Sequence, residues 1–145
     1  MQVLKGFILN VTEGIIAHQT NCMGIAGAGL ALQIANAYPH WKADYIAYCN
    51  RHDRNPSDLL GMVHLHHVGT ITVASIFGQR APGRGLMTDY DALALGLQKL
   101  GKYSLEKGRP LYLPYGIGCG LAGGDWRTVS TLIENGCPHA VLVKL

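Results

Sequence analysis

Two glycine-rich turns constrain this chain most, because each stands where an apolar strand pattern gives way to a helical one. The first lies in HQTNCMGIAGAGLALQIA (residues 18–35) and the second in LPYGIGCGLAGGDW (residues 113–126). Glycine has no Cβ, so backbone N–H groups can close around a phosphate, and a following helix adds about half a positive charge at its N-terminus. Two such turns predict a ligand with a diphosphate group, although either turn alone is equally well explained by tight packing.

The composition narrows the class of protein. The chain has 145 residues, of which 48% are apolar, 14% are charged and 19 are glycine, and this predicts one compact α/β domain rather than a disordered chain. The formal net charge is +3 without a basic run, so binding to duplex nucleic acid is not indicated. The four cysteines form no C-x-x-C pair and no membrane-length apolar run is present. We therefore expect reduced thiols, a cytoplasmic location and no membrane partner.

Apolar periodicity predicts strands that alternate with helices. The predicted strands are residues 2–9, 14–20, 61–66, 71–77, 110–114 and 139–144, and the third and fourth form a hairpin. The predicted helices are residues 30–37, 40–50, 89–106 and 126–134. Such alternation favours a largely parallel sheet covered on both faces, whose ligands bind beyond the carboxyl ends of the strands. Both glycine turns follow a strand at that end, so we expect them to line one cleft.

Two polar residues precede the first glycines. Asn21 can exchange hydrogen bonds with ribose hydroxyls, or it can stabilise its own turn. His18 stands at the end of the same strand, where it can act as a general base or ligand contact, or be a hydrogen-bonded core residue. The glycines at 24, 27 and 29 do not complete the dinucleotide fingerprint G-x-G-x-x-G, because Leu32 occupies the third place.

These motifs together resemble a known family. The pattern H-x-x-N-C-x-G, then G-A-G-L-A and a helix ending in Tyr38-Pro39, precedes P-x-G-I-G-C-G-L-x-G-x-D-W near the C-terminus. In this order, over almost the whole chain, they are similar to macrodomains. The nearest branch contains the ADP-ribose 1''-phosphate phosphatases and the hydrolases that remove ADP-ribose from glutamate. The resemblance implies a single macrodomain over residues 1–145, a three-layer α/β/α fold with a central mixed, mainly parallel sheet of about six strands.

The resemblance also implies a cleft for an ADP-ribose-type ligand. Asn21, with Gly27, Ala28 and Gly29, would surround the distal ribose. Ile8 and Leu9 would lie near the adenine, and Gln79 would help to close the distal end. The second turn would wrap the diphosphate with its backbone, and its predicted contact residues are Tyr115, Gly116, Ile117, Gly118, Cys119, Gly120, Leu121 and Ala122.

Some positions depart from the family pattern. Phe7 stands where macrodomains usually carry an acidic or amide residue that holds the adenine amino group. Ala122 stands where the glutamate-directed hydrolases have a catalytic aspartate, and their catalytic lysine aligns near Gly78 or Gln79. The lysine and aspartate chemistry of those hydrolases is therefore absent. Asp125 directly precedes a helical pattern, so we predict an N-cap there rather than a replacement acid.

Three further groups of residues have plainer interpretations. The histidines at 64, 66 and 67 have no accompanying Asp, Glu or Cys pattern, so we predict a solvated strand end, and we expect neither a metal nor a cofactor. Cys22 and Cys119 are predicted to be small buried thiols. The loop at residues 81–85, with Arg80 and Arg84, is either a lid over a phosphate or a plain surface loop.

The residues support two main hypotheses about function. The first is a phosphatase that acts on ADP-ribose 1''-phosphate, with His18 as general base or proton shuttle and Asn21 positioning the ribose. The second is a non-catalytic binder or scavenger of ADP-ribose or another NAD-derived nucleotide. A hydrolase that removes ADP-ribose from proteins is a further alternative, with an ADP-ribosylated protein as partner. We expect a monomer, of the small stand-alone kind that viruses and mobile elements also carry.

Overall fold

A mixed sheet of six strands runs through the molecule. A computed structural model describes all 145 residues of the chain. The strands are β1 (Gln2–Lys5), β2 (Gly14–Asn21), β3 (Val63–Val68), β4 (Ile71–Gln79), β5 (Leu111–Pro114) and β6 (Val141–Lys144). Their spatial order is β1-β6-β5-β2-β4-β3, and every neighbouring pair is parallel except β3 with β4. The mixed, mainly parallel sheet is thereby confirmed.

Helices cover both faces of this sheet. They are α1 (Gly29–Ala37), α2 (Pro39–Arg51), α3 (Pro56–Leu59), α4 (Tyr90–Lys107) and α5 (Trp126–Gly136). The first three pack on one face and the last two on the other, which confirms the three-layer α/β/α architecture. No helix combines the length and the apolar character needed to cross a membrane.

The central strand β2 separates two hydrophobic cores. Because side chains alternate across a strand, Ile15 and Ala17 face α4 and α5, whereas Ile16 faces α1 and α2. The second core contains Trp41 and Tyr45 of α2, whose rings stack 5.1 Å apart and are fully buried. Burial on both faces makes β2 a rigid support for the turn that follows it.

Two predicted elements differ from the structure. The first strand was predicted to reach residue 9, but it ends at Lys5, because Gly6 has a φ of +151° and turns the chain into a short 3-10 helix, Ile8–Asn10. The segment at residues 51–58, predicted as a turn, contains the start of α3. Asn55 caps that helix by accepting a hydrogen bond from the Ser57 N–H, and proline occupies the first helical position.

The predicted hairpin is confirmed and is longer than expected. β3 and β4 pair in antiparallel register up to Val68 and Ile71, and only Gly69 and Thr70 separate them. Gly69 has a φ of +58°, the left-handed conformation that a two-residue hairpin turn needs. β4 thus forms the long neighbour of β2 and carries Gln79 to the same sheet edge as Asn21.

Candidate functional site

A cleft opens at the carboxyl edge of the sheet, between the two glycine turns. β2 and β5 are parallel neighbours, so the turns that follow them leave the sheet side by side. The space between them measures about 700 Å³, within the range of roughly 300–1,000 Å³ that is typical of small-molecule sites. The expectation that both turns line one cleft is confirmed.

Most of the predicted contact residues line this cleft. They are Asn21, Gly27, Ala28, Gly29, Gln79, Tyr115, Gly116, Gly118, Gly120, Leu121 and Ala122, together with His18. The structure does not bring Ile8, Leu9, Ile117 or Cys119 to it. Ile8 is buried in the core under α1 and α2, with Leu9 packed against that core, whereas Ile117 belongs to the opposite core and Cys119 packs against it.

The second turn offers unused peptide N–H groups to a ligand. The N–H groups of Ile117 and Cys119 are occupied, since they donate to the carbonyl oxygens of Pro114 and Gly116 at 3.0 and 2.9 Å. Several others donate no hydrogen bond within the protein, and they belong to the cleft-lining residues Gly116, Gly118, Gly120, Leu121 and Ala122. Free amides clustered in this way match the several oxygens of a phosphate group.

The first helix also presents free N–H groups. α1 begins after Ala28, whose side chain makes no capping hydrogen bond, whereas an Asn or Asp side chain caps each of α3, α4 and α5. Ala28, Gly29, Leu30 and Ala31 all line the cleft. The first turn of α1 therefore keeps its positive end open towards the cleft, where it favours an anion.

Asn21 organises the first turn. Its Oδ1 accepts from the Met23 N–H at 3.0 Å and from the Ile25 N–H at 3.3 Å, and its Nδ2 donates to the Ile25 carbonyl at 2.8 Å. The Tyr45 hydroxyl donates to the Asn21 carbonyl oxygen at 2.6 Å. The turn-stabilising role is thus present in the structure. Because Asn21 also lines the cleft, a contact from its second Nδ2 hydrogen to a ribose stays a prediction.

His18 lies in the cleft wall with little access to water. The residue is 2% exposed, and burial lowers the pKa of its imidazole to about 3. Its Nε2 lies 3.3 Å from Ser75 Oγ, and its Nδ1 has no partner. An imidazole with this pKa is neutral near pH 7 and a weak base. The role of general base or proton shuttle stays a prediction, and the low pKa does not favour it.

Sequence reasoning missed a partly buried network beneath the second turn. Gln19 Nε2 donates to Gln79 Oε1 and to Thr88 Oγ1, both at 2.9 Å, and Thr88 Oγ1 donates to the Gly118 carbonyl at 2.7 Å. Gln19 Oε1 is buried without a partner. This network ties the second turn to β2 and β4. One signal was available, since Gln19 stands two residues before Asn21 at the same strand end.

The cleft contains no charged side chain of Asp, Glu, Lys or Arg. Asp125 instead caps α5, where its Oδ2 accepts from the Thr128 N–H at 3.0 Å, so the predicted N-cap is confirmed. That hydrogen bond holds the pKa of the Asp125 carboxyl below its usual value. Burial raises the pKa of Cys22 to about 11 and also raises that of Cys119, so both thiols stay protonated.

The β3 histidines correct one prediction. His64 is 5% exposed, so a solvated strand end is wrong for this residue. His64 Nε2 and His66 Nδ1 donate to the same oxygen, Asp44 Oδ2, at 3.2 and 3.0 Å. Asp44 belongs to α2 and reaches β3 only through packing, which is why the local pattern showed no acidic partner. The structure holds no group of three or more His, Cys, Asp or Glu arranged for a metal ion.

The loop after β4 forms a third wall of the cleft. Pro82 and Gly83 line it, whereas the exposed Arg80 and Arg84 do not. The Met87 N–H donates to the Ala122 carbonyl at 2.8 Å, which fastens the end of this loop to the second turn.

Comparison with known proteins gives a partial sequence match. No family model matches the chain. The ADP-ribose 1''-phosphate phosphatase of Meyerozyma guilliermondii is 41% identical over 53 residues, which are 37% of this chain and 30% of that enzyme. The match therefore spans only about a third of either protein.

Comparison of folds covers the whole chain. A macrodomain protein from Streptomyces coelicolor superimposes with a TM-score of 0.82 at 26% identity, over 99% of this chain and 97% of that one. A protein of unknown function from Bacteroides thetaiotaomicron gives 0.85 at 24% identity, over 100% and 99%. Thermosipho africanus DarTG in complex with ADP-ribose gives 0.80 at 17% identity, over 99% of this chain and 41% of that one. Over its whole length, the chain therefore has the macrodomain fold.

Proposed function

We propose that this protein binds an ADP-ribose-type nucleotide in the cleft and removes the terminal phosphate of ADP-ribose 1''-phosphate. The observation that carries the proposal is the set of unused amides in the second turn beside the uncapped start of α1. The partial identity to the phosphatase of Meyerozyma guilliermondii supports the substrate. The fold shared with DarTG, solved in complex with ADP-ribose, supports the ligand class.

The cleft suits phosphoryl transfer because its donors belong to the backbone. The free amides would bind the phosphate oxygens and stabilise the charge on them while water attacks phosphorus. The bond between phosphorus and the oxygen on C1'' breaks, which releases inorganic phosphate and leaves ADP-ribose. The cleft offers no carboxylate or lysine, so the proton of the attacking water passes to an oxygen of the substrate's own phosphate and from there to the departing oxygen on C1''. Asn21 would position the ribose.

Phosphate release from ADP-ribose 1''-phosphate tests this proposal with a matched pair of variants. Leu121→Pro deletes one free amide, whereas Leu121→Ala keeps the amide and removes a side chain that is already 72% exposed. We expect Leu121→Pro to lower the turnover number by about 100-fold, the usual cost of losing one such donor. Leu121→Ala should stay close to the wild type. Equal turnover by the two variants would contradict a role for this amide.

A non-catalytic binder is the second candidate, and the absence of charged side chains from the cleft favours it. Such a protein needs hydrogen-bond donors but no acid or base. Calorimetry with ADP-ribose, combined with turnover assays on the 1''-phosphate, a glutamate ester and an O-acetyl derivative, separates the two functions. Tight binding without turnover supports the binder, and failure to bind ADP-ribose or its 1''-phosphate counts against both.

The third candidate is a hydrolase that releases ADP-ribose from proteins. Two apolar side chains that line the cleft are exposed, Ile25 at 52% and Leu121 at 72%, and they offer a contact for a protein that carries the nucleotide. Release of ADP-ribose from a glutamate-modified protein measures this activity. Turnover of the modified protein that exceeds turnover of the free 1''-phosphate would favour this function over the phosphatase.

A further inference from the structure

Three buried side chains form a hydrogen-bonded chain that ends at the cleft. Trp41 of α2 and Ser75 of β4 are fully buried, and His18 of β2 is 2% exposed. The Trp41 indole N–H donates to Ser75 Oγ at 2.9 Å, and Ser75 Oγ lies 3.3 Å from His18 Nε2. Since His18 also lines the cleft, this chain connects the core under α2 to the ligand space.

The direction of the bond between Ser75 and His18 follows from the inventory of donors. An indole only donates, so Ser75 Oγ accepts from Trp41 and keeps its own hydrogen for another acceptor. The structure gives Ser75 Oγ no partner besides Trp41 and His18. If Ser75 donates to His18 Nε2, its hydroxyl is satisfied and the proton of the neutral ring lies on Nδ1.

The opposite direction leaves more groups unpaired. If His18 Nε2 carried the proton and donated to Ser75, the buried serine hydrogen would have no acceptor and His18 Nδ1 would be an empty acceptor. Two buried polar atoms would then lack partners instead of one, and each unpaired buried group is destabilising. Fewer buried groups are unpaired when the proton lies on His18 Nδ1, the nitrogen for which the protein provides no partner. This tautomer is therefore favoured.

We propose that Ser75 is a positioning residue, which fixes His18 as the Nδ1–H tautomer so that this N–H donates to an acceptor oxygen of the nucleotide in the cleft. The ligand in this inference rests on the proposed function. The ring of His18 meets the Trp41 indole edge-on, at 4.9 Å between centroids and 63° between planes, which holds its orientation. Trp41 thus fixes the imidazole twice, through Ser75 and by direct contact.

This assignment gives His18 a different task from general base. A ring nitrogen that already carries a proton cannot take one from water, but it can donate a hydrogen bond to a hydroxyl, ether or phosphate oxygen. In the free protein the buried donor has no partner, and a ligand oxygen would supply one. Binding therefore recovers the cost of the unpaired N–H, which favours a ligand with an acceptor at this place.

Nitrogen NMR of histidine-labelled wild-type protein tests the tautomer without any ligand. The one-bond coupling between nitrogen and hydrogen shows which ring nitrogen carries the proton, and loss of the signal in His18→Asn assigns it. We expect the proton on Nδ1. A proton on Nε2 in the folded wild-type protein overturns the inference.

Calorimetry with ADP-ribose tests the donor. Asn places its Nδ2 near the position of histidine Nδ1, so His18→Asn should bind within about twofold of the wild type, whereas His18→Leu should bind about tenfold more weakly. Ser75→Ala should weaken binding about two- to tenfold and redistribute the proton between the two nitrogens. Ser104→Ala is the matched control, since this buried serine donates to the Arg109 carbonyl and does not line the cleft.

The outcomes separate this inference from the proposed function. Equal affinities of His18→Asn and His18→Leu overturn the donor role, even if both variants and the wild type bind well. Thermal unfolding of each variant identifies any that fails to fold, and the wild-type NMR result is independent of them. If the wild type binds neither ADP-ribose nor its 1''-phosphate, the proposed function and the ligand half of the inference both fail, and the spectrum alone decides the tautomer.

Discussion

The Asn21 side chain forms hydrogen bonds with both backbone polar groups of Ile25, its N–H and its carbonyl oxygen. Its Nδ2 donates to the Ile25 carbonyl oxygen at 2.8 Å, and its Oδ1 accepts from the Ile25 N–H at 3.3 Å. This pair of bonds closes the first turn into a compact loop between β2 and α1. The position of the α1 N-terminus at the cleft therefore depends on one carboxamide.

Replacing this carboxamide should affect both stability and binding. We expect Asn21→Ala to lower the free energy of unfolding by about 1–3 kcal/mol, because it takes the side-chain partner from three partly buried backbone groups of the turn, and to weaken ADP-ribose binding. Tyr45→Phe is the comparison, since it removes the hydroxyl that donates to the Asn21 carbonyl but lies outside the cleft. It should lose stability with little loss of affinity. If Asn21→Ala binds ADP-ribose with wild-type affinity, the Asn21 side chain stabilises the turn but does not contribute to ligand binding.

A side chain at Gly118 should destabilise the second turn. Its φ is +75°, and a Cβ would lie 3.0 Å from Gln19 Oε1 and 3.2 Å from Thr88 Oγ1. We expect Gly118→Ala to cost about 1–3 kcal/mol through the left-handed conformation and this crowding, and to weaken ADP-ribose binding. Gly69→Ala, at a φ of +58° in open space, should lose stability and leave binding unchanged. Denaturant unfolding and calorimetry measure both, and equal affinity losses would show that the effect is global.

Thr88 should matter although it does not line the cleft. Thr88→Val keeps the shape of the side chain and removes the hydroxyl, which leaves Gln19 Nε2 with one partner fewer and the Gly118 carbonyl without this donor. We expect a loss of about 1–3 kcal/mol in the free energy of unfolding and weaker nucleotide binding as the second turn loosens. Thr131→Val, exposed on α5 and bonded only to the Arg127 carbonyl, is the control. If Thr88→Val binds the nucleotide as tightly as Thr131→Val does, the network makes no contribution to binding.

Acid should destabilise the protein through His18. Burial lowers the pKa of this imidazole from 6.5 to about 3. Below pH 6.5 the imidazole is therefore protonated in the unfolded chain while it stays neutral in the folded chain. The contribution of His18 to the free energy of unfolding is therefore fully present above pH 6.5. It is lost as the pH falls towards 3, by about 1.4 kcal/mol per pH unit for this one group. Burial also lowers the pKa of His64, which acts in the same direction.

Urea titrations between pH 4 and pH 7 measure this effect. His18→Asn should flatten the dependence of the unfolding free energy on pH, whereas His40→Asn, at an exposed position of α2, serves as the control. A slope that is the same in His18→Asn and in the wild type would contradict the neutral, buried imidazole.

The sequence predicts the layers of this fold because the signals are local. The run from Gly14 to Asn21 alternates between two cores and is almost wholly buried, so it reads as a central strand. Trp41 and Tyr45 recur at helical spacing on the buried face of α2. The end of β1 was misplaced because apolar residues continue after Gly6, where Ile8 is buried in a helical turn rather than in a strand. Apolar character alone does not distinguish these two conformations.

The sequence predicts the backbone turns of the site but not the contacts between its side chains. The glycine turns are contiguous in sequence, but Gln19 and Thr88 are 69 residues apart and meet only because β4 and α4 return to the same edge. Asp44 and His66, 22 residues apart, likewise meet through packing of α2 on β3. The contacts of individual side chains with a nucleotide, the monomeric state and the cytoplasmic location stay predictions.

A cleft whose hydrogen-bond donors are mostly peptide groups has a fixed charge. No Asp, Glu, Lys or Arg side chain lines it, and its single histidine is neutral well below pH 6. Between pH 5 and pH 8, a change in affinity with pH therefore reports the ionisation of the nucleotide and not that of the protein. Titrating the binding of ADP-ribose beside that of its 1''-phosphate would read out the protonation of the terminal phosphate directly, with the protein as a constant background.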